Sequence, residues 1–169
     1  MGESAYKLQY LLNRSQSNEE RYPLKVRDLI SYNFDYKQAP ISFVKANGKD
    51  QARKDLDSVG FIGDMWFEPL EADELQLPFE DVVMAIDPSG SGADETAYVI
   101  GGFLAGRLYL LSSGGLQGGY HDDSLRALCD QAFEYRVNKV VLEKNLGGGV
   151  YTQLFKNALF EYYKKKPHH

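Results

Sequence analysis

Apolar and polar positions follow two different patterns along the chain, and the change comes near residue 78. Beyond it the pattern is regular. Val82–Ile86 is a continuous apolar run, as a strand buried on both faces requires. Thr96–Leu104 and Arg107–Leu111 read as two further strands, joined across Ala105-Gly106 as a hairpin. Asp122–Tyr135 places Leu125, Leu128, Cys129 and Phe133 at helical spacing, with Asp122 or Asp123 available as a cap. Val137–Leu142 reads as a second buried strand. Gly147-Gly148-Gly149 interrupts the chain, and a helix is expected from about Val150 to Tyr163. The predicted order is β-β-β-α-β-α, an α/β arrangement that starts with a hairpin and ends in a crossover.

The first part is less periodic. Residues 4–14 read as a helix, and the polar run Arg14–Glu20 breaks it. An extended segment is expected from Tyr22-Pro23 through Leu24, Val26, Leu29 and Ile30. Ile41–Val44 reads as a short strand, Asn47-Gly48 as a turn, and Met65–Phe67 as an apolar patch. Between Asp64 and Asp81 stand seven acids (Asp64, Glu68, Glu71, Asp73, Glu74, Glu80, Asp81) with Pro69 and Pro78, and no Lys or Arg. That composition predicts a solvated acidic linker. The reading is therefore a linker or subdomain over residues 1–78 and a folded α/β domain over residues 79–169.

Charge sharpens the functional question. The net charge is −5, and residues 1–80 carry 10 basic and 14 acidic side chains against 9 and 10 in residues 81–169. A chain this acidic does not hold nucleic acid by its overall field, so any such role needs metal ions, a local basic patch or a partner. The single cysteine, Cys129, excludes an internal disulfide framework and reads as a small core residue in a reducing compartment. No apolar run is long enough to span a bilayer. No Gly-Lys-Ser/Thr phosphate loop is present, which argues against ATP hydrolysis by this polypeptide alone.

Two acids carry the candidate chemistry. Asp87 ends the apolar strand 82–86, and Glu143 ends the apolar run Val140-Val141-Leu142. An acid at the end of a buried strand is costly to desolvate, and one alone is explained by a cap or an ion pair. Two on neighbouring strands converge on one point and suit a hard cation, Mg²⁺ or Mn²⁺. Two such ions about 3.5–4 Å apart can activate water and stabilise the leaving oxygen of a phosphodiester. Asp94 follows the glycine-rich loop after Asp87 and is either an auxiliary metal ligand or a turn residue. Ser89 in that loop, with Lys144 and Asn145 after Glu143, are candidate contacts to DNA phosphate. The run Lys164-Lys165-Lys166 is read as a solvated helix end favoured by the helix dipole.

The run Ala85-Ile86-Asp87-Pro88-Ser89-Gly90-Ser91-Gly92-Ala93-Asp94-Glu95-Thr96 resembles the first nuclease motif of large terminase subunits from tailed bacteriophages. Val140-Val141-Leu142-Glu143-Lys144-Asn145-Leu146-Gly147 resembles the second. Leu8–Leu12 with Arg21-Tyr22-Pro23-Leu24 is similar to the region between the ATPase and nuclease domains of the podophage type. The resemblance implies an RNase H-like mixed sheet with flanking helices, incomplete at the C-terminus and preceded by an extended linker. It also implies a metal-dependent endonuclease that cuts concatemeric double-stranded DNA during genome packaging in the host cell cytoplasm. Asp87 and Glu143 would be its first two metal-binding carboxylates and Asp94 the accessory one. Its partners would be DNA, the portal, the small terminase subunit and an ATPase domain that this chain lacks. The family's third essential carboxylate lies beyond the helix after the second motif, so the chain reads as a fragment. The alternative is a non-catalytic assembly module that docks the packaging motor or portal. Another RNase H-like enzyme, such as a resolvase or transposase, shares the chemistry but fits the N-terminal segment less well.

Overall fold

The computed structural model describes residues 25–57, 63–89, 94–143 and 149–166. The helix expected over residues 4–14, and Lys144 with Asn145, lie outside them. The chain divides into two compact units: Met1–Phe34 with Ser42–Leu75, and Asp35–Ile41 with Gln76–His169.

The second unit holds β1 (Gln38–Pro40), β4 (Gln76–Pro78), β5 (Asp81–Asp87), β6 (Thr96–Leu104), β7 (Arg107–Leu116), α1 (Asp122–Glu134), β8 (Lys139–Leu142) and α2 (Val150–Lys164). Four strands form one sheet in the order β7-β6-β5-β8. β5, β6 and β7 run antiparallel, and β8 joins β5 in parallel after the α1 crossover. This mixed sheet with flanking helices agrees with the expected RNase H-like architecture. The expected hairpin turn sits at Ala105 and Gly106, both at positive φ (49° and 72°), the two-residue geometry that matches strand twist.

Burial alternates along β5. Val82, Met84 and Ile86 are buried, while Val83 and Ala85 are half-buried and Asp87 is exposed. The first set meets Leu125, Leu128, Cys129 and Ala132 of α1 and Tyr151 and Phe155 of α2 in the core. Both helices thus pack on one sheet face. Burial pushes the Cys129 thiol up to about 11, so it stays protonated as an inert core group.

Three local expectations need correction. His121, not Asp122 or Asp123, is the N-cap of α1, and its side chain makes no capping bond. The two aspartates sit inside the first turn, where they favour the helix dipole. β8 is not buried: among the described residues it pairs only with β5, and Val141 is 49% exposed. An apolar run reports strand character without reporting whether a neighbour covers both edges. β5 is interior to the sheet but alternates in burial, since only one of its faces meets helices.

In the first unit, β2 (Phe43–Val44) pairs antiparallel with β3 (Glu71–Ala72), and short 3₁₀ turns cover Val26–Asp28 and Lys49–Gln51. The acidic stretch is not simply solvated. Asp64 is 1% exposed, and its carboxylate accepts the Val26 N–H at 2.9 Å and the Arg27 N–H at 3.2 Å. It caps the turn Val26–Asp28 from 38 and 37 residues away. Asp64→Ala is expected to lower the stability of this unit by about 1–3 kcal/mol, because two amides lose their acceptor. Urea unfolding followed by the fluorescence of Trp66, the single tryptophan, reads this unit directly. An unchanged midpoint would show that water replaces the carboxylate at no cost.

Candidate metal centre at the strand ends

The parallel ladder decides where the two acids meet. β5 and β8 pair Val83 with Lys139, Met84 with Val140, Ala85 with Val141 and Ile86 with Leu142. The next residues in this register are Asp87 and Glu143. The ladder continues that far, since the Glu143 N–H donates to the Ile86 carbonyl at 3.1 Å. Neighbouring strands lie about 4.8 Å apart, so the two carboxylates start from adjacent points.

Side-chain alternation then sets the face. Met84 and Ile86 turn toward the helices, so Asp87 turns the other way, with Ala85. Glu143 follows suit with Val141. Both acids are exposed. They share an open hollow of about 430 Å³ with Ala85, Ala97, Val99 and Val141. Ala97 pairs with Asp87 across the β5–β6 ladder, and its small side chain leaves room above the acid. Apolar walls around two like charges strengthen their pull on a cation relative to open water.

The donor set is hard oxygen, which suits Mg²⁺ or Mn²⁺. Two acids do not complete such a site. Among the described residues no three or more His, Cys, Asp or Glu side chains come together as a metal-binding group. Asp94 is exposed and lies two residues before β6, beyond the Asp87–Ala97 pair, so it does not join the other two here.

Ser89, the candidate DNA contact in the loop after β5, is buried. It is 6% exposed, and its hydroxyl lies 3.1 Å from that of Thr96, which also accepts the Ser89 N–H at 3.0 Å. Thr96, the first residue of β6, is fully buried. Sequence reading passed over it, although a threonine opening an apolar strand is a signal that a hydroxyl is needed there. On α2, Lys164 pairs with Glu161 at 2.9 Å, and the Lys166 ammonium lies 5.1 Å from the Phe133 and Tyr162 ring centres. A larger hollow of about 730 Å³ lies between α1, β8 and α2, but its lining includes no acid.

Residues 86–168 match the family described as Terminase Bacteriophage T7, Ribonuclease H-like domain. The chain is also 33% identical over 162 residues, 96% of its own length, to the terminase large subunit of Enterobacteria phage T3. It spans 28% of the length of that relative. The matched segment opens one residue before Asp87 and includes Glu143. Residues 86–168 belong to the RNase H-like domain family of phage T7-type terminases, and the chain is a relative of terminase large subunits.

Proposed function

We propose that this domain is the endonuclease of a DNA-packaging terminase, cutting concatemeric double-stranded DNA by two-metal phosphodiester hydrolysis. The observation that carries this reading is the parallel register that sets Asp87 beside Glu143 on the open sheet face. The likeness to terminase large subunits supports the substrate.

In this reading Asp87 and Glu143 hold Mg²⁺ or Mn²⁺, with Asp94 as an accessory carboxylate. When bound, the ions supply Lewis-acid polarisation of the scissile phosphate and charge for the departing 3′ oxygen. The protein's part is to bind and orient. Asp87 and Glu143 fix the position of positive charge at one end of the sheet. Ala85, Ala97, Val99 and Val141 line the hollow and bring no competing charge to it. Lys144 and Asn145 contact backbone phosphate, which gives little sequence preference. The remaining metal donors come from beyond the described residues. The domain works in the host cell cytoplasm, with an ATPase domain, the portal and the small terminase subunit as partners.

The test is incubation of supercoiled plasmid with the protein in Mn²⁺ and in EDTA. Nicked and linear products in Mn²⁺ only are expected. Equal cleavage in EDTA would sink the metal mechanism. No cleavage, together with tight binding to portal protein, would favour the assembly-module reading, to which the pairing of only two acids among the described residues also points.

A further inference from the structure

Three buried hydroxyls stand just past the end of β5 and at the starts of β6 and α2, and their bonding does not close. Thr96 lies one residue beyond the Asp87–Ala97 pair, at the place where the β5–β6 ladder ends. Its side chain clamps Ser89 twice, through the Ser89 N–H and the Ser89 hydroxyl. Pro88 and Ser89 are both buried, so the clamp pins the backbone that leaves Asp87. A valine would fill the same volume, so packing alone does not call for a hydroxyl at this position.

The third hydroxyl belongs to Tyr151, the second residue of α2, the helix that follows Glu143. Tyr151 is 2% exposed, and its hydroxyl lies by that of Thr96 without reaching hydrogen-bond geometry with any described residue. Its ring packs against Tyr120, with centroids 5.5 Å apart. Burial pushes the Tyr151 phenol upward in pKa, and the Thr96 hydroxyl beside it offsets part of that push. The group is therefore a neutral O–H donor held beside Thr96 without a formed bond, and a buried unpaired donor is costly. A hydroxyl offers one donor and two lone pairs. When Thr96 accepts the Ser89 N–H and donates to the Ser89 hydroxyl, one lone pair is left. The unpaired donor of Tyr151 and the unused acceptor of Thr96 are complementary.

We propose that Thr96 and Tyr151 are positioning residues for Asp87: the Ser89–Thr96 clamp sets the direction in which Asp87 leaves β5, and the Tyr151 hydroxyl bonds to Thr96 when Asp87 takes up a cation. This rests on the metal-binding reading of Asp87 and Glu143. It links the backbone after the first motif to α2, the helix that follows the second. Groups that orient metal ligands from behind matter nearly as much as the ligands.

The test measures Mn²⁺ binding by the electron paramagnetic resonance signal of the free ion, with thermal melting alongside, in wild type, Thr96→Val, Thr96→Ser and Tyr151→Phe. Thr96→Val should bind Mn²⁺ about 10-fold or more weakly, and Thr96→Ser should recover to within about three-fold. Tyr151→Phe should melt at or above the wild-type temperature without metal, because an unpaired buried hydroxyl is gone, yet bind Mn²⁺ several-fold more weakly. A purely structural role moves melting and leaves affinity alone, so this opposite movement is decisive. Wild-type affinity in both Thr96→Val and Tyr151→Phe overturns the positioning role only. Absence of Mn²⁺ binding in wild type overturns the metal reading and this role with it.

Discussion

Asp87→Asn and Glu143→Gln are each expected to lower Mn²⁺-dependent cleavage by about 100-fold or more, or roughly 3 kcal/mol of barrier at 1.36 kcal/mol per ten-fold. Each change keeps the shape of the side chain and removes one negative charge. The two acids occupy successive positions in one parallel register and turn to the same open face, so removing either leaves a single carboxylate. One carboxylate holds a divalent ion more weakly than two, since waters must then fill more of its oxygen shell. Asp87→Asn also relieves repulsion between like charges in the metal-free protein. Its melting temperature should therefore stay level or rise in that variant, while any rise produced by Mn²⁺ in wild type should vanish in both. Loss of activity with gain of stability is the mark of a functional pair, because groups that only hold the fold lose both together. Undiminished cleavage in either variant would remove that acid from the site. A fall in metal-free melting temperature would recast the pair as structural.

The strand tips that carry the candidate acids were legible where they depend on local pattern. The apolar run Val82–Ile86 followed by Asp87 is a strand with an acid at its tip, and β5 ends on that residue. β6 has the expected bounds, Thr96–Leu104, and the turn is at Ala105-Gly106. The face of α1 was visible in Leu125, Leu128 and Cys129, because period 3.6 is a local property. What escaped depends on partners distant in sequence. Nothing around Gln38–Pro40 announces that it pairs with Gln76–Pro78, or that the Tyr109 hydroxyl donates to the Pro40 carbonyl. That pairing is why Asp35–Ile41 belongs with the second unit. Asp64 looked like one more solvated acid, since its two amide partners are 38 and 37 residues away. Ser89 lies among glycines and polar residues in sequence, and only the antiparallel return of the chain brings Thr96 against it. The candidate site was thus readable in its charged tips, while the hydroxyls behind them were not. Charge next to an apolar run is conspicuous, but a buried hydroxyl resembles any other small polar residue.

Phe155→Ala is expected to destabilise the second unit by about 3–5 kcal/mol, the range for deleting a buried aromatic ring. Phe155 and Tyr151 are the two buried residues of α2, one helical turn apart on the same face, and they alone anchor it fully in the core. With Phe155 gone the helix keeps one fully buried anchor, Tyr151, beside the partly buried Ala158, Leu159 and Tyr162, and a cavity opens in the core. Domains of this size hold together by about 5–15 kcal/mol, so the loss is a large share of the total. Melting should fall by at least ~10 °C, since each kcal/mol is worth about 4–8 °C. Phe160 lies on the same helix but is 62% exposed, and Phe160→Ala should change stability by no more than about 0.5 kcal/mol. Calorimetry on the two variants compares rings of equal size in one helix. A similar cost at both positions would mean that α2 docks through another face. The outcome bears on the site as well, because Tyr151 is held beside Thr96 only while α2 keeps its place. A helix loosened at Phe155 should lose Mn²⁺ affinity as it loses stability, in contrast to Tyr151→Phe, where the two move apart.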